Sequence, residues 1–204
     1  MFPNRIESIE ELTSMLPPPS PAACEKELDR LDDHCRAFIE RSPFAFLASA
    51  GPDGTCDASP RGGPPGFVRV LDDRRLLLPE FPGNRRFDSL RNLLERPGVG
   101  LLFLIPGLED TLRVNGRASI TRDPELLAES AVDGKGPRYA LGVEVAQCFL
   151  HCPKAFRRSG LWQPEQWPSL DGLPRATEML RDHVGLTLEE LEESRRESLA
   201  KRLY

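Results

Sequence analysis

The pattern of apolar and polar positions divides the chain into helical ends and a strand-rich middle. Ile6 to Met15 is a short amphipathic stretch, and the Pro17-Pro18-Pro19-Ser20-Pro21 run behind it is too stiff to continue a helix. Cys24, Leu28, Leu31, Cys35 and Phe38 recur at steps of four, three, four and three, which predicts one helix over about 22–40 with a single apolar stripe. From Phe44 the period shortens. Phe44 to Ser49 reads as a buried strand, Pro52-Asp53-Gly54 as a turn, and Thr55 to Ser59 as the strand that completes a hairpin. Phe67 to Leu71, an Asp72-Asp73 turn and Arg75 to Leu78 predict a second hairpin. Phe87, Leu90, Leu93 and Leu94 then fall at helical spacing up to Arg96.

Val99 to Ile105 is continuously apolar, as in a central strand buried on both faces. Thr111 to Thr121 alternates, with Leu112, Val114, Ala118 and Ile120 on one face and Arg113, Asn115, Arg117 and Ser119 on the other. Asp123-Pro124 opens a short helix, and Leu141 to Cys152 reads as the last long strand. The tail from Arg175 to Tyr204 holds two helical patterns, Met179-Leu180-Val184, then Leu188-Leu191 with Leu199-Leu203. Strands that follow one another through hairpins predict an antiparallel sheet, closed as a barrel so that no edge is left open. The fold class is mainly β (α+β), with flanking N- and C-terminal helices.

A chain of 204 residues suits one domain with appended helices. The divisions expected are a helical extension over 1–41 packed on the barrel, the barrel itself over 42–165, and a helical tail over 166–204. The net charge of −5 disfavours binding to a nucleic-acid backbone. Locally the sign reverses: between Arg61 and Arg96 eight arginines face five acids, a net of 8 − 5 = +3, which suits a small anion. No apolar run reaches the length of a membrane span, and the N-terminus lacks a signal-peptide core, so a cytoplasmic protein is expected. Five cysteines then point to reduced thiols, and Cys24, Cys35 and His34 read as structural.

The chemistry concentrates in two stretches. Asp57-Ala58-Ser59-Pro60-Arg61-Gly62-Gly63-Pro64-Pro65-Gly66 and Pro79-Glu80-Phe81-Pro82-Gly83-Asn84-Arg85-Arg86-Phe87-Asp88-Ser89-Leu90 each set arginines among glycines and prolines, and the second runs into a helix. Guanidinium forks grip phosphate oxygens in a bidentate way. A helix N-terminus adds free N–H groups and the positive end of a dipole. The two stretches are expected to lie on neighbouring strand ends and to hold an anion between them. Further on, Cys148, His151 and Cys152 do not make a metal site, since on a strand His151 points away from both cysteines and a fourth ligand is missing.

Asp-x-Ser-Pro-Arg-Gly from Asp57, Leu76-Leu77-Leu78-Pro79, Pro82-Gly83-Asn84-Arg85-Arg86, Asp88-Ser89-Leu90-Arg91-Asn92 and Val99-Gly100-Leu101-Leu102-Phe103 together resemble one branch of the pyridoxamine 5′-phosphate oxidase-like FMN-binding split-barrel family. His151-Cys152, Lys154-Ala155-Phe156, Arg158-Ser159 and Leu161-Trp162 resemble the same branch, where this segment closes over the cofactor. The likeness covers about residues 40–165. It implies a six-stranded antiparallel split barrel, a homodimer, and FMN in two clefts at the subunit interface.

Carried across by residue, Ser59, Arg61, Asn84, Arg85 and Arg86 would take the phosphate side, and Pro79 would lie by the flavin ring. Lys154 and Trp162 would approach from the C-terminal segment, from either subunit. The chain departs from the branch at Gly63, where an acidic residue is expected, and it lacks the arginine and histidine signature near the C-terminus of the true oxidases. The resemblance therefore implies an FMN-dependent oxidoreductase that exchanges hydride or electrons between a reduced nicotinamide, or oxygen, and a small-molecule substrate. Arg113 and Arg117 are candidates to stabilise the reduced flavin. The alternatives are a flavin- or haem-binding or sensing protein without turnover, and a reductase that uses the deazaflavin F420.

Overall fold

The computed structural model describes every residue except Met1 and Arg202. The expected helical extension over 1–41 begins at Met1 and the expected tail pattern crosses Arg202, so at those two points the expectations lie outside the described residues. Helix α1 (Ile9–Ser14) is capped by Ser8 and followed by the proline run. The single helix expected next is instead two, α2 (Pro21–Glu25) and α3 (Asp33–Arg41). Two competing interactions break it. Asp32 accepts the Cys35 N–H at 2.8 Å and starts a new helix. Leu28 exchanges two backbone hydrogen bonds with Cys148, its N–H donating at 2.9 Å and its carbonyl oxygen accepting at 2.8 Å. The stripe survives in part: Leu31 and Cys35 are buried, Phe38 is half-buried while its neighbour Ile39 is buried in its place, and the buried Cys35 and Cys148 thiols touch at 3.3 Å.

The strands are β1 (Phe44–Ala50), β2 (Cys56–Gly62), β3 (Arg69–Val70) and β4 (Arg75–Glu80). After helix α4 (Asp88–Glu95) come β5 (Gly98–Leu104) and β6 (Thr111–Thr121), then α5 (Pro124–Ala128), whose N-cap is Asp123, and β7 (Tyr139–His151). Helix α6 (Lys154–Ser159), a 3-10 turn at Pro164–Gln166, α7 (Ala176–Val184) and α8 (Leu188–Lys201) complete the chain. All strand pairs are antiparallel, in the order β2-β1-β5-β6-β7-β4-β3.

Seven strands in a linear order replace the expected six-stranded closed barrel. The shortest is the two-residue β3, all that forms of the strand expected over Phe67–Leu71. β2 runs on through Pro60 and Arg61 to Gly62, so the first arginine stretch is strand rather than loop as far as Gly62. Pro60 is tolerated because β2 is an edge, where a missing N–H leaves no ladder bond unmade. The longest ribbon is β6 with β7, and it changes register between Asn115 and Gly116, leaving Ala146 as the extra residue of a bulge. A bulge bends its strand and adds twist. At Gly116 an added Cβ would stand 2.0 Å from the Glu144 carbonyl oxygen, so only glycine fits.

The core lies inside the curl of this sheet. Ala45 and Leu47, Leu76 and Leu78, Leu101 and Phe103, Leu112 and Val114, and Leu141 and Val143 all point into it. Each leucine, valine or phenylalanine among them contributes about 1.5–3 kcal/mol through burial. Helix α4 closes one side with Leu90 and Leu93 and packs on β1, β2 and β6. β5 is central, as expected, but fully buried on one face only: Gly100 and Leu102 alternate with Val99, Leu101 and Phe103 and remain half-buried. The other face of the sheet also leaves Phe46 42% exposed. No helix among the described residues is long and apolar enough to cross a membrane.

Candidate functional site

β2 and β4 stand near opposite ends of the strand order, yet the curl of the sheet brings them together. Arg61 of β2 donates through Nη1 to Glu80 Oε2 of β4 at 3.0 Å, across the gap that a closed barrel would have filled. The pair is well shielded, with the Arg61 side chain 22% and that of Glu80 6% exposed. Burial pushes the Glu80 carboxyl above the ordinary carboxylate range, and the Arg61 charge opposes this only in part. Arg61 Nε and Glu80 Oε1 are buried without a hydrogen-bond partner. Tyr139, opposite Glu80 in the β4–β7 register, has its phenol raised by burial and by the neighbouring carboxylate.

A cavity of about 360 Å³ opens at this gap, within the range of small-molecule sites. Ser59 and Arg61 line it from β2; Asn84, Arg85 and Arg86 line it from the loop after β4. The start of α4 forms another wall. Phe87, the N-cap residue, is left-handed at φ 62° and supplies no side-chain cap, so the first N–H groups of the helix stay unsatisfied beside the cavity. Arg85 is also left-handed, at φ 62°. The loop is held by Asn84, which accepts the Arg86 N–H at 3.1 Å, and by the Arg86–Asp88 ion pair at 2.8 Å. Ser59 Oγ lies 3.1 Å from Ser89 Oγ, tying β2 to the helix.

Five of the sequence-predicted site residues, Ser59, Arg61, Asn84, Arg85 and Arg86, therefore share one cavity. The other three are not among its lining residues. Pro79 is buried within β4 opposite Ala140. Lys154 is exposed at the start of α6. Trp162 donates its indole N–H to Leu108 O at 2.9 Å and stacks on Phe156 at 5.7 Å. Arg113 lies 5.4 Å from the centre of the Phe149 ring, and Arg117 lines a separate concavity on the outer sheet face.

At Gly63 a Cβ would come within 2.7 Å of Phe67 Cβ, so the place of the phenylalanine leaves no room for the acidic side chain expected there. Among the described residues no cluster of three His, Cys, Asp or Glu side chains is placed to hold a metal. Cys148 instead turns inward to Cys35.

Sequence reasoning missed Glu80 and Tyr139 as parts of the site. Glu80 carried a signal, an acid ending the otherwise buried run from Leu76; Tyr139 carried none, since only strand register brings it there. The local excess of positive charge also fails to reach the cavity. Its arginines Arg61, Arg85 and Arg86 are matched by Asp57, Glu80 and Asp88, and only Arg85 has no ion-pair partner among the described residues.

No curated protein matches the sequence. Among solved structures, HupZ of Group A Streptococcus aligns at 14% identity and a TM-score of 0.48, over 59% of this chain and 93% of that one. An FMN-binding protein from Syntrophomonas wolfei subsp. wolfei aligns at 13% identity and a TM-score of 0.46, over 57% and 83%. General Stress Protein 26 from Bacillus anthracis str. Sterne aligns at 16% identity and a TM-score of 0.43, over 56% and 88%. The family model described as pyridoxamine 5′-phosphate oxidase matches residues 31–152, a span that takes in α3 and every strand from β1 to β7. With more than half of its length matched in this way, the chain belongs to the pyridoxamine 5′-phosphate oxidase family.

Proposed function

We propose that the cavity between β2 and β4 holds the phosphate of FMN and that the protein is a flavin-dependent oxidoreductase acting on a small molecule. The observation that carries this reading is the meeting of Arg61, Arg85 and Arg86 with the uncapped N-terminus of α4 around one cavity. A phosphate dianion satisfies both kinds of donor at once. Arg85, without an ion-pair partner, is the first cation available to it, and Arg86 joins by exchanging Asp88 for phosphate oxygens. Ser59 and Ser89 add hydroxyl donors from two sides. The buried Glu80 holds the Arg61 guanidinium in place by accepting at Oε2, and Arg61 Nε remains as a further donor.

Bound flavin supplies hydride or electron transfer at its N5, which no side chain of this chain offers. The protein binds and orients. The half-covered sheet face around Phe46, with the shallow concavity formed by Ala48, Ala58, Gly100 and Ala146, is where a second copy docks. In that homodimer Lys154 and Trp162 of one copy reach the flavin of the other. An absorbance spectrum of the purified protein tests the reading. It is expected to show an oxidised flavin, or to acquire one on incubation with FMN, and to bleach on anaerobic addition of a reduced nicotinamide nucleotide. Protein that takes up no FMN while remaining folded overturns the reading.

A further inference from the structure

Gly83, Asn84 and Arg85 border a second cavity besides the one described. Its other walls are α7 and α8, and its volume is about 420 Å³. From α7 come Thr177 and Leu180; from α8 come Leu191, Ser194, Arg195, Ser198 and Leu199.

The α8 residues fall at steps of three, one, three and one, so they occupy one face of the helix. A helix that merely packs on its neighbour carries apolar residues along such a face. Here the ends of the stripe are Leu191 and Leu199, but its centre is Ser194, Arg195 and Ser198, turned towards Arg85 across the groove. No aspartate or glutamate lines this groove, although the protein as a whole carries a charge of −5. Arg85 and Arg195 make no ion pair among the described residues, and Asn84 Nδ2 is a further donor on the same wall.

We infer that this groove is a binding site for an organic phosphate monoester, distinct from the cavity at Arg61. The two guanidinium groups and the Ser194 and Ser198 hydroxyls offer more donors than the two oxygens of a carboxylate can use, and they match the three oxygens of a phosphate. Leu180 and Leu199, 45% and 58% exposed, provide an apolar surface for the body of the ester. Inorganic phosphate would leave that surface bare. The groove shares Asn84 and Arg85 with the first cavity and takes its other donors from α8, so Arg195, Ser194 and Ser198 separate this inference from the flavin reading.

Isothermal titration of the full chain with phenyl phosphate, compared with inorganic phosphate, tests it. With the first cavity saturated by FMN, phenyl phosphate is expected to bind one per chain, about tenfold more tightly than inorganic phosphate because the ring is buried on the leucines. Arg195→Ala is expected to weaken phenyl phosphate by about tenfold, and Arg86→Ala, which lines only the first cavity, by less than about twofold. Both residues are exposed, and far-UV circular dichroism verifies that both variants fold. The inference is overturned if the order of the two variants reverses, if phenyl phosphate binds no better than inorganic phosphate, or if the wild-type protein gives no heat with probe at about ten millimolar, well above ordinary ligand affinities.

Discussion

The two cavities that meet at Gly83, Asn84 and Arg85 handle charge in opposite ways. At the gap between β2 and β4 each cluster of arginine is balanced by acid, and Arg61 and Arg86 are fixed by carboxylates at 3.0 and 2.8 Å. Across the loop, Arg85 and Arg195 face each other with no acid between them. The first arrangement pre-orients its cations and gives up most of their field. The second keeps the field and leaves the side chains to be ordered by what binds. An arginine count along the sequence cannot separate these cases, because the answer depends on which carboxylates the fold brings into the same cavity.

Arg61→Ala is the strongest way to break the contrast. It leaves Glu80 buried without its cation and is expected to cost about 3 kcal/mol in chemical denaturation. Arg195→Ala is expected to change stability by less than about 0.5 kcal/mol. Equal losses would make the groove arginine a structural residue like Arg61. Next in size is Arg85→Ala, which borders both cavities. Titration should show phenyl phosphate and FMN each weakened by about tenfold, whereas Arg195→Ala and Arg86→Ala each affect one ligand alone. Ionic strength sharpens the difference further. Raising salt from about 50 to about 200 mM should weaken phenyl phosphate in the groove more than FMN in the charge-balanced cavity, because exposed unpaired cations are the more screened.

The smallest effect expected is in the pH dependence of stability. Burial raises the Glu80 pKa above its unfolded value, so over a window of pH the folded protein keeps a proton that the unfolded chain has released. The stability from this group is present in acid and is lost as pH rises from the ordinary carboxylate range through the folded value. Glu80→Gln has no such loss. Its Tm relative to wild type should climb as pH rises from the ordinary carboxylate range, and a flat difference would show that Arg61 already compensates Glu80 fully.

What could be read from the sequence follows a physical division. Thr111–Thr121 is a strand with the expected faces, and the Leu90 and Leu93 stripe of α4 is buried as its period requires, because in both cases local periodicity and burial agree. The helix expected from Cys24 to Phe38 fails because Leu28 finds its backbone partners at Cys148, far along the chain, and no local pattern encodes that pairing. The meeting of Ser59 and Arg61 with Asn84, Arg85 and Arg86 was legible because the wording of both stretches is distinctive. Their route to each other was not: the first two lie on β2 and the other three on the loop after β4, a strand with which β2 never pairs, and the curl of the sheet joins them. The neutralising acids, Tyr139 and the donor face of α8 all depend on that long-range geometry.

The bulge at Gly116 acts as the joint of the whole assembly. β4 hangs from β7 over Tyr139–Glu144, on one side of the register change, while β5, and through it β1 and β2, hangs from β6 over Leu112–Arg117. The angle at this joint decides how near the two arms of the sheet come to each other. A hydrogen atom in place of a methyl group, set against the Glu144 carbonyl, thus lies at the joint between the two arms whose gap Arg61 and Glu80 bridge, though it contributes no chemical group there.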